Sequence, residues 1–264
     1  DQIGVFGLAL GGDVDIEGEG STVIADNDGI VGTAFGGNVW IDGGTVTSSV
    51  GSGIVGLAFG GSVDIDSHDN VQANGFAGII GTAFGGDVEV ELDAATSVTN
   101  TGATGIVAIA TGQADIEAKN TTINADDSGI LAYANEVYVD AGVINATNGS
   151  GIVGVGFGGD VNIEAHDKIT ADNGFVGAMG LSFGGDSTVT VGGDVDPPLF
   201  GMISATFGAG AAVGNVLPNV SVVGDWVGAV VANLGSGSAT LNNEGTIDGG
   251  ILGVGGLKVG PGGN

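Results

Sequence analysis

A phrase recurs about every 25 residues along this chain, and no other feature restricts its folding so tightly. It reads GIVGTAFGGNVWID at 29–42, GIVGLAFGGSVDID at 53–66, GIIGTAFGGDVEVE at 78–91 and GIVGVGFGGDVNIE at 151–164. Weaker copies begin at Gly4, Gly105, Gly129, Gly177, Gly201, Gly228 and Gly250, which makes eleven starts spaced 22 to 27 residues apart. A short period with brief apolar runs and no helical spacing belongs to a stacked repeat, in which each unit buries its apolar side against its neighbours. The spacing predicts an all-β chain: a parallel β-helix (β-solenoid) of about eleven coils of 22–27 residues, with three short strands per coil.

The three segments of a coil are typified by Ile30 to Phe35, Val39 to Asp42 and Thr45 to Ser48. The second alternates cleanly, as in Val14/Ile16, Val63/Ile65, Val88/Val90 and Val161/Ile163, so those residues point inward and their neighbours outward. The third supplies an inward column of Val23, Val46, Val71, Val98, Ile123, Ile144 and Ile169. The first segment is apolar on both faces. Ring volume argues for Phe35, Phe59, Phe84, Phe157, Phe183 and Phe207 inside, which leaves the Ile30, Gly32, Ala34 side outward. That outward strip is expected to pack coils tightly or to serve as a lateral contact surface.

Gly36-Gly37, Gly60-Gly61 and Gly85-Gly86 fall between the first two segments and suit a corner with positive φ. Three strands and three corners make a triangular prism. At ~4.8 Å per coil the rod would be roughly 50 Å long, and the crossover rule favours a right-handed winding. The whole chain, 1–264, reads as one domain. Within it a longer period of 98 to 101 residues relates 4–104 to 105–200: Trp40/Asp42 match Tyr138/Asp140, and SHDNVQANGF (67–76) matches AHDKITADNGF (165–175). Residues 201–264 are degenerate terminal coils that lose the acidic phrase.

Charge narrows the partners. There are 31 acids, 3 lysines and no arginine, for a net charge of −28. Such a chain repels phosphate backbones and anionic lipid, so nucleic acid is not an expected partner. Cysteine is absent, so disulfides do not staple the coils. The uncharged stretch 197–224 is broken by Pro197, Pro198, Pro218 and many glycines, and a transmembrane segment is not expected there. No signal peptide is visible, and both ends stop in mid-pattern. The chain therefore reads as a mature segment or a piece of a longer protein, extended axially by more coils or by further copies.

The outward positions of the second segment stack into two columns. One is Glu17, Asp42, Asp66, Glu91, Glu117, Asp140, Glu164; the other is Asp15, Trp40, Asp64, Glu89, Asp115, Tyr138, Asn162. Carboxylates ~4.8 Å apart repel by roughly 1 to 3 kcal/mol per neighbouring pair. The repulsion is relieved by raised pKa values or by hard cations bridging coils through oxygen. The densest patch is Asp64, Asp66, Glu89, Glu91, Asp115 and Glu117, the candidate calcium ladder. The bland alternative is a solvated acidic face that keeps the rod in solution. His68 and His166 occupy equivalent corners four coils apart, too far to share a metal, and read as duplicated turn residues. No nucleophile, histidine and acid fall together, and no required cofactor is implied. The sequons at Asn120, Asn145, Asn148 and Asn219 are of a kind that arises readily in a turn-rich chain.

GIVAIATGQADIEA (105–118), SGIVGVGFGGDVNIEA (150–165) and NNEGTIDGGILGVGG (242–256) resemble passenger regions of bacterial autotransporters and related giant surface adhesins. The resemblance covers nearly the whole chain and carries no passenger catalytic motif. It implies export, a right-handed parallel β-helix and an extracellular or cell-surface role as stalk, adhesin or matrix fibre. The expected partners are the chain itself, a host surface or a glycan. The expected function is non-enzymatic; the alternative is a β-helix carbohydrate-active enzyme.

Overall fold

The structure is a computed structural model that describes residues 2–196 and 199–249, and the backbone alone of 252–258. Asp1, Pro197, Pro198, the start at Gly250 with Ile251, and the end from Val259 to Asn264 lie outside the described residues. The chain forms a β-solenoid of about ten turns, and no helix occurs among the described residues. The first strands, such as Val5–Ala9, Ile30–Phe35, Ile54–Phe59 and Ala77–Ala83, stack into one eleven-stranded parallel sheet. The second and third strands make a second, sixteen-stranded parallel sheet that folds around the other two sides. An eleventh first strand, Leu252–Lys258, pairs with Val227–Asn233 beyond these turns.

Register follows the repeat. Ile30, Ile54, Ile79, Ile106, Ile130 and Ile152 lie directly over one another and are wholly buried. The third-strand column from Val23 to Ile169 also stacks as its alternation predicts, and runs on through Val195, Val222 and Ile247. Second and third strands are not separated everywhere. In Val14–Ala25, Val39–Ser48, Gln113–Ala125 and Glu136–Ala146 they run on as one strand, with a register shift after Gly18 and again after Ala118. Ser21 Oγ and Thr121 Oγ1 each donate to the carbonyl three residues back at those shifts. In the turns that follow, the two strands are split, as in Val63–Ser67 with Val71–Ala73.

The first strand is inverted relative to the expectation from ring volume. Ile30, Ala34, Ile54 and Ala58 are buried, whereas Phe35, Phe59, Phe84, Phe157, Phe183 and Phe207 are 38% to 62% exposed. The reason is the thinness of the coil. A Cβ on Gly32 would stand 2.7 Å from Val39 Cγ1, and one on Gly53 would stand 2.3 Å from Val71 Cγ1. The first sheet touches the opposite walls through glycine and alanine, and an interior this tight has no volume for a ring. Strand alternation then sends the residue before the Gly-Gly corner outward. Gly36 and Gly60 take φ of 95° and 109° at that corner, as its sequence predicts.

Candidate functional site

The second strands carry the chemistry because their inward residues fix where the outward ones stand. Val63, Ile65, Val88, Val90 and Ile116 are buried, so the side chains between them face solvent one above another. Asp15, Trp40, Asp64, Glu89, Asp115, Tyr138 and Asn162 form one continuous column. Glu17, Asp42, Asp66, Glu91, Glu117, Asp140 and Glu164 form the other. The six candidate ligands therefore come together on three consecutive turns. Asp64, Asp66 and Asp115 are half-buried; Glu89, Glu91 and Glu117 are exposed.

Stacking like charges against a β-surface raises their proton affinity. Burial, reinforced by Asp66, Glu89 and Glu91, pushes Asp64 up to about 6. Burial, with Glu117 and Glu89, does the same to Asp115, also to about 6. Asp66 and Glu91 shift upward as well, chiefly by desolvation. Asp115 Oδ1 is buried with no hydrogen-bond partner. Among the described residues, no three histidine, aspartate or glutamate side chains converge into a ready-made ion site.

The two histidines stand directly against this ladder. His68 Nδ1 lies 2.9 Å from Asp93 Oδ2 and its Nε2 lies 3.3 Å from Asp42 Oδ1, so it links the turns on either side of its own. The hydrogen bond to Asp93 raises its pKa, with Asp42 adding to the effect and burial opposing it. His166 Nε2 stands 2.7 Å from Asp140 Oδ1, and neither atom has a hydrogen-bond partner. Lys119 Nζ is 4.0 Å from the other oxygen of the same aspartate. The matched pairs Asp42/His68 and Asp140/His166 are thus one device used twice, which the sequence pattern shows as repeated turn residues without showing the contact.

Several acids outside the ladder are structural, and sequence reading left them unassigned. Asn38 N–H donates to Asp13 Oδ1 at 2.8 Å, Ser62 N–H to Asn38 Oδ1 at 2.9 Å and Gln113 N–H to Asp87 Oδ1 at 2.7 Å. Asp186 N–H donates to Asp160 Oδ1, and Ala211 N–H to Asp186 Oδ1. Each corner side chain caps an amide of the turn above. The signal was an Asp, Asn or Ser just before most second strands, as at Asp13, Asn38, Ser62, Asp87, Asp160 and Asp186. Of the sequon asparagines, Asn120 and Asn219 sit at left-handed turn positions, with φ of 60° and 66°.

The first sheet presents an outer face of a different kind. Its three outward columns hold no charged side chain over ten turns. The column beside the Gly-Gly corner reads Leu10, Phe35, Phe59, Phe84, Thr111, Asn135, Phe157, Phe183, Phe207, Leu234. The rings stack face to face: Phe35 on Phe59 at 4.8 Å with 4° between planes, and Phe183 on Phe207 at 5.1 Å with 11°. On the neighbouring columns Val153 and Val155 are packed under by Leu131, Tyr133, Met179 and Leu181. The rod is therefore two-sided, with an acidic ladder on the second strands and a neutral, apolar face on the first.

Comparison with protein-family models, with curated proteins and with solved structures returned no match to this chain. The assignment to a β-solenoid rests on the strand pairing itself.

Proposed function

We propose that this chain is a non-enzymatic structural or adhesive rod of a cell surface or extracellular matrix, acting as stalk, adhesin or fibre subunit. The observation that carries the reading is the unbroken register of the turns. Among the described residues the turns repeat the same three strands, and none is enlarged into the long loops that wall a catalytic cleft on a β-helix. The likeness of the repeats to autotransporter passengers supports export, and the acid columns suit a medium rich in divalent cations. The ladder's oxygen donors match calcium in hardness. Carboxylates from adjacent turns, such as Asp64 with Glu89 or Asp66 with Glu91, would supply part of its shell and water the rest. Bound calcium would neutralise the repulsion between turns.

A second reading is favoured by one observation. Asp64 and Asp115, both raised to about 6, stand two turns apart on one column, as a glycoside-cleaving acid and base would. Periodic stacking accounts for the same shifts without catalysis. A shallow groove of about 260 Å³ runs along the third strands, bordered by Thr99, Asn124, Asn145 and Thr147, and includes neither acid. The test is turnover of a panel of neutral and acidic polysaccharides. The rod reading expects none. Turnover abolished by Asp64→Asn or Asp115→Asn would replace it with the enzyme.

A further inference from the structure

We propose that two copies of this chain pair face to face and antiparallel through the neutral outer face of the first sheet. This deepens the rod reading by naming the partner of one surface.

Three observations converge. The first is size. Ten turns at ~4.8 Å, with three outward residues across a strand, give a face of roughly 800 to 900 Å². A stable interface needs about 800 Å² from each partner. The second is charge. The molecule carries −28, and its second strands hold the acid ladder, so two copies meeting there would oppose carboxylates. The outward columns of the first sheet hold no charge, so this face lets two like molecules approach with both ladders turned away.

The third is the order of residues along the phenylalanine column. It is palindromic: leucine, three phenylalanines, Thr111, Asn135, three phenylalanines, leucine. A twofold axis along the strand direction, passing between Thr111 and Asn135, keeps this column in place and reverses its order. Phe59 then meets Phe183 of the partner subunit, and Thr111 meets Asn135 of the partner subunit. An isologous interface requires this self-complementarity. On the middle column the same axis sets Leu57 against Leu181 of the partner subunit. Parallel pairing would instead lay the phenylalanines on the opposite edge of the sheet.

Sedimentation of the purified chain at ~10 µM tests the proposal, where an interface of this size holds a dimer. Wild type is expected to sediment as a dimer. Leu57→Glu and Leu181→Lys would each bury unpaired charges and weaken it at least ~30-fold. Mixing the two variants would restore a dimer, because Glu on one copy faces Lys on the other only in the antiparallel register. Circular dichroism confirms that each variant keeps its β spectrum; should Leu57→Glu lose it, Phe59→Gln on the more exposed column reads the same interface. A monomeric wild type, or a dimer indifferent to both substitutions, overturns the pairing. Failure of the mixture to re-form a dimer overturns the antiparallel register. Binding of the wild-type monomer to phosphatidylcholine vesicles, lost in Leu57→Glu, would assign the face to lipid instead. None of these outcomes bears on polysaccharide turnover, so failure of the pairing and failure of the rod reading are separable.

Discussion

At the scale of single residues, the molecule is governed by what its interior refuses. Gly53 faces Val71 Cγ1 and the carbonyl of Gly78, which a Cβ would approach to 2.3 Å and 2.6 Å. Gly53→Ala should therefore cost about 2 to 3 kcal/mol in denaturant unfolding, as overpacking does. Gly11→Ala, where nothing lies within 4 Å, should stay within about 0.5 kcal/mol. The acid ladder makes a prediction of opposite sign to the usual carboxylate. Asp64 and Asp115 titrate near 6 when folded and near 3.8 when unfolded, so the folded state binds more protons between those values. Stability should then fall as pH rises from about 4 through 6 and level off above. Unscreened, two pH units would amount to about 3 kcal/mol per group; side chains this exposed are screened, and about 1 kcal/mol each is the reasonable size. Asp64→Asn should raise the melting temperature at pH 7.5 and flatten the profile between pH 4 and 7. An unchanged slope would show that the ladder is not strained by its own charge.

At the scale of strands and corners, the caps between turns bind the stack lengthwise. Removing the acceptor in Asp87→Ala leaves the Gln113 amide to water at an exposed corner, with an expected loss of about 1 kcal/mol. Asp87→Asn retains the oxygen and should lose less, which equilibrium unfolding can resolve. How far such elements were legible in the sequence depended on contrast between their two faces. Val63/Ile65 against Asp64/Asp66 left one possible orientation, and both outward columns fall in the register that the repeat implies. Ile30 to Phe35 offered apolar residues on both sides, and ring volume pointed the wrong way. Gly32 and Ala34, repeated as Gly56 and Ala58 and as Gly81 and Ala83, were the better guide. Small residues recur where two walls nearly touch. The histidine contacts were not legible because Asp42 and His68 are neighbours only across turns, and fused or split strands depend on local bulges that spacing does not reveal.

At the scale of the whole molecule, the chain is a continuous stack of turns with one acidic and one neutral side, and the proposed structural role rests on that stack. Its strength is the repetition of a single parallel pairing, since each turn both caps the one below and templates the one above. On the proposed pairing, the neutral face would give the rod a direction in which to associate while the acid ladder faces away. All of this depends on one property, that rise along the axis is linear in turn number. The absence of native cysteine makes that property directly measurable. Spin-label pairs at Asp15 and Glu89, at Asp15 and Asn162, and at Asp15 and Thr240 lie three, six and nine turns apart on one column. Pulsed dipolar spectroscopy, with labelled chains diluted in unlabelled protein, should return distances of roughly 14, 29 and 43 Å, rising by ~4.8 Å per turn. Distances that plateau, or that do not increase in this order, would contradict the continuous solenoid and everything built on it.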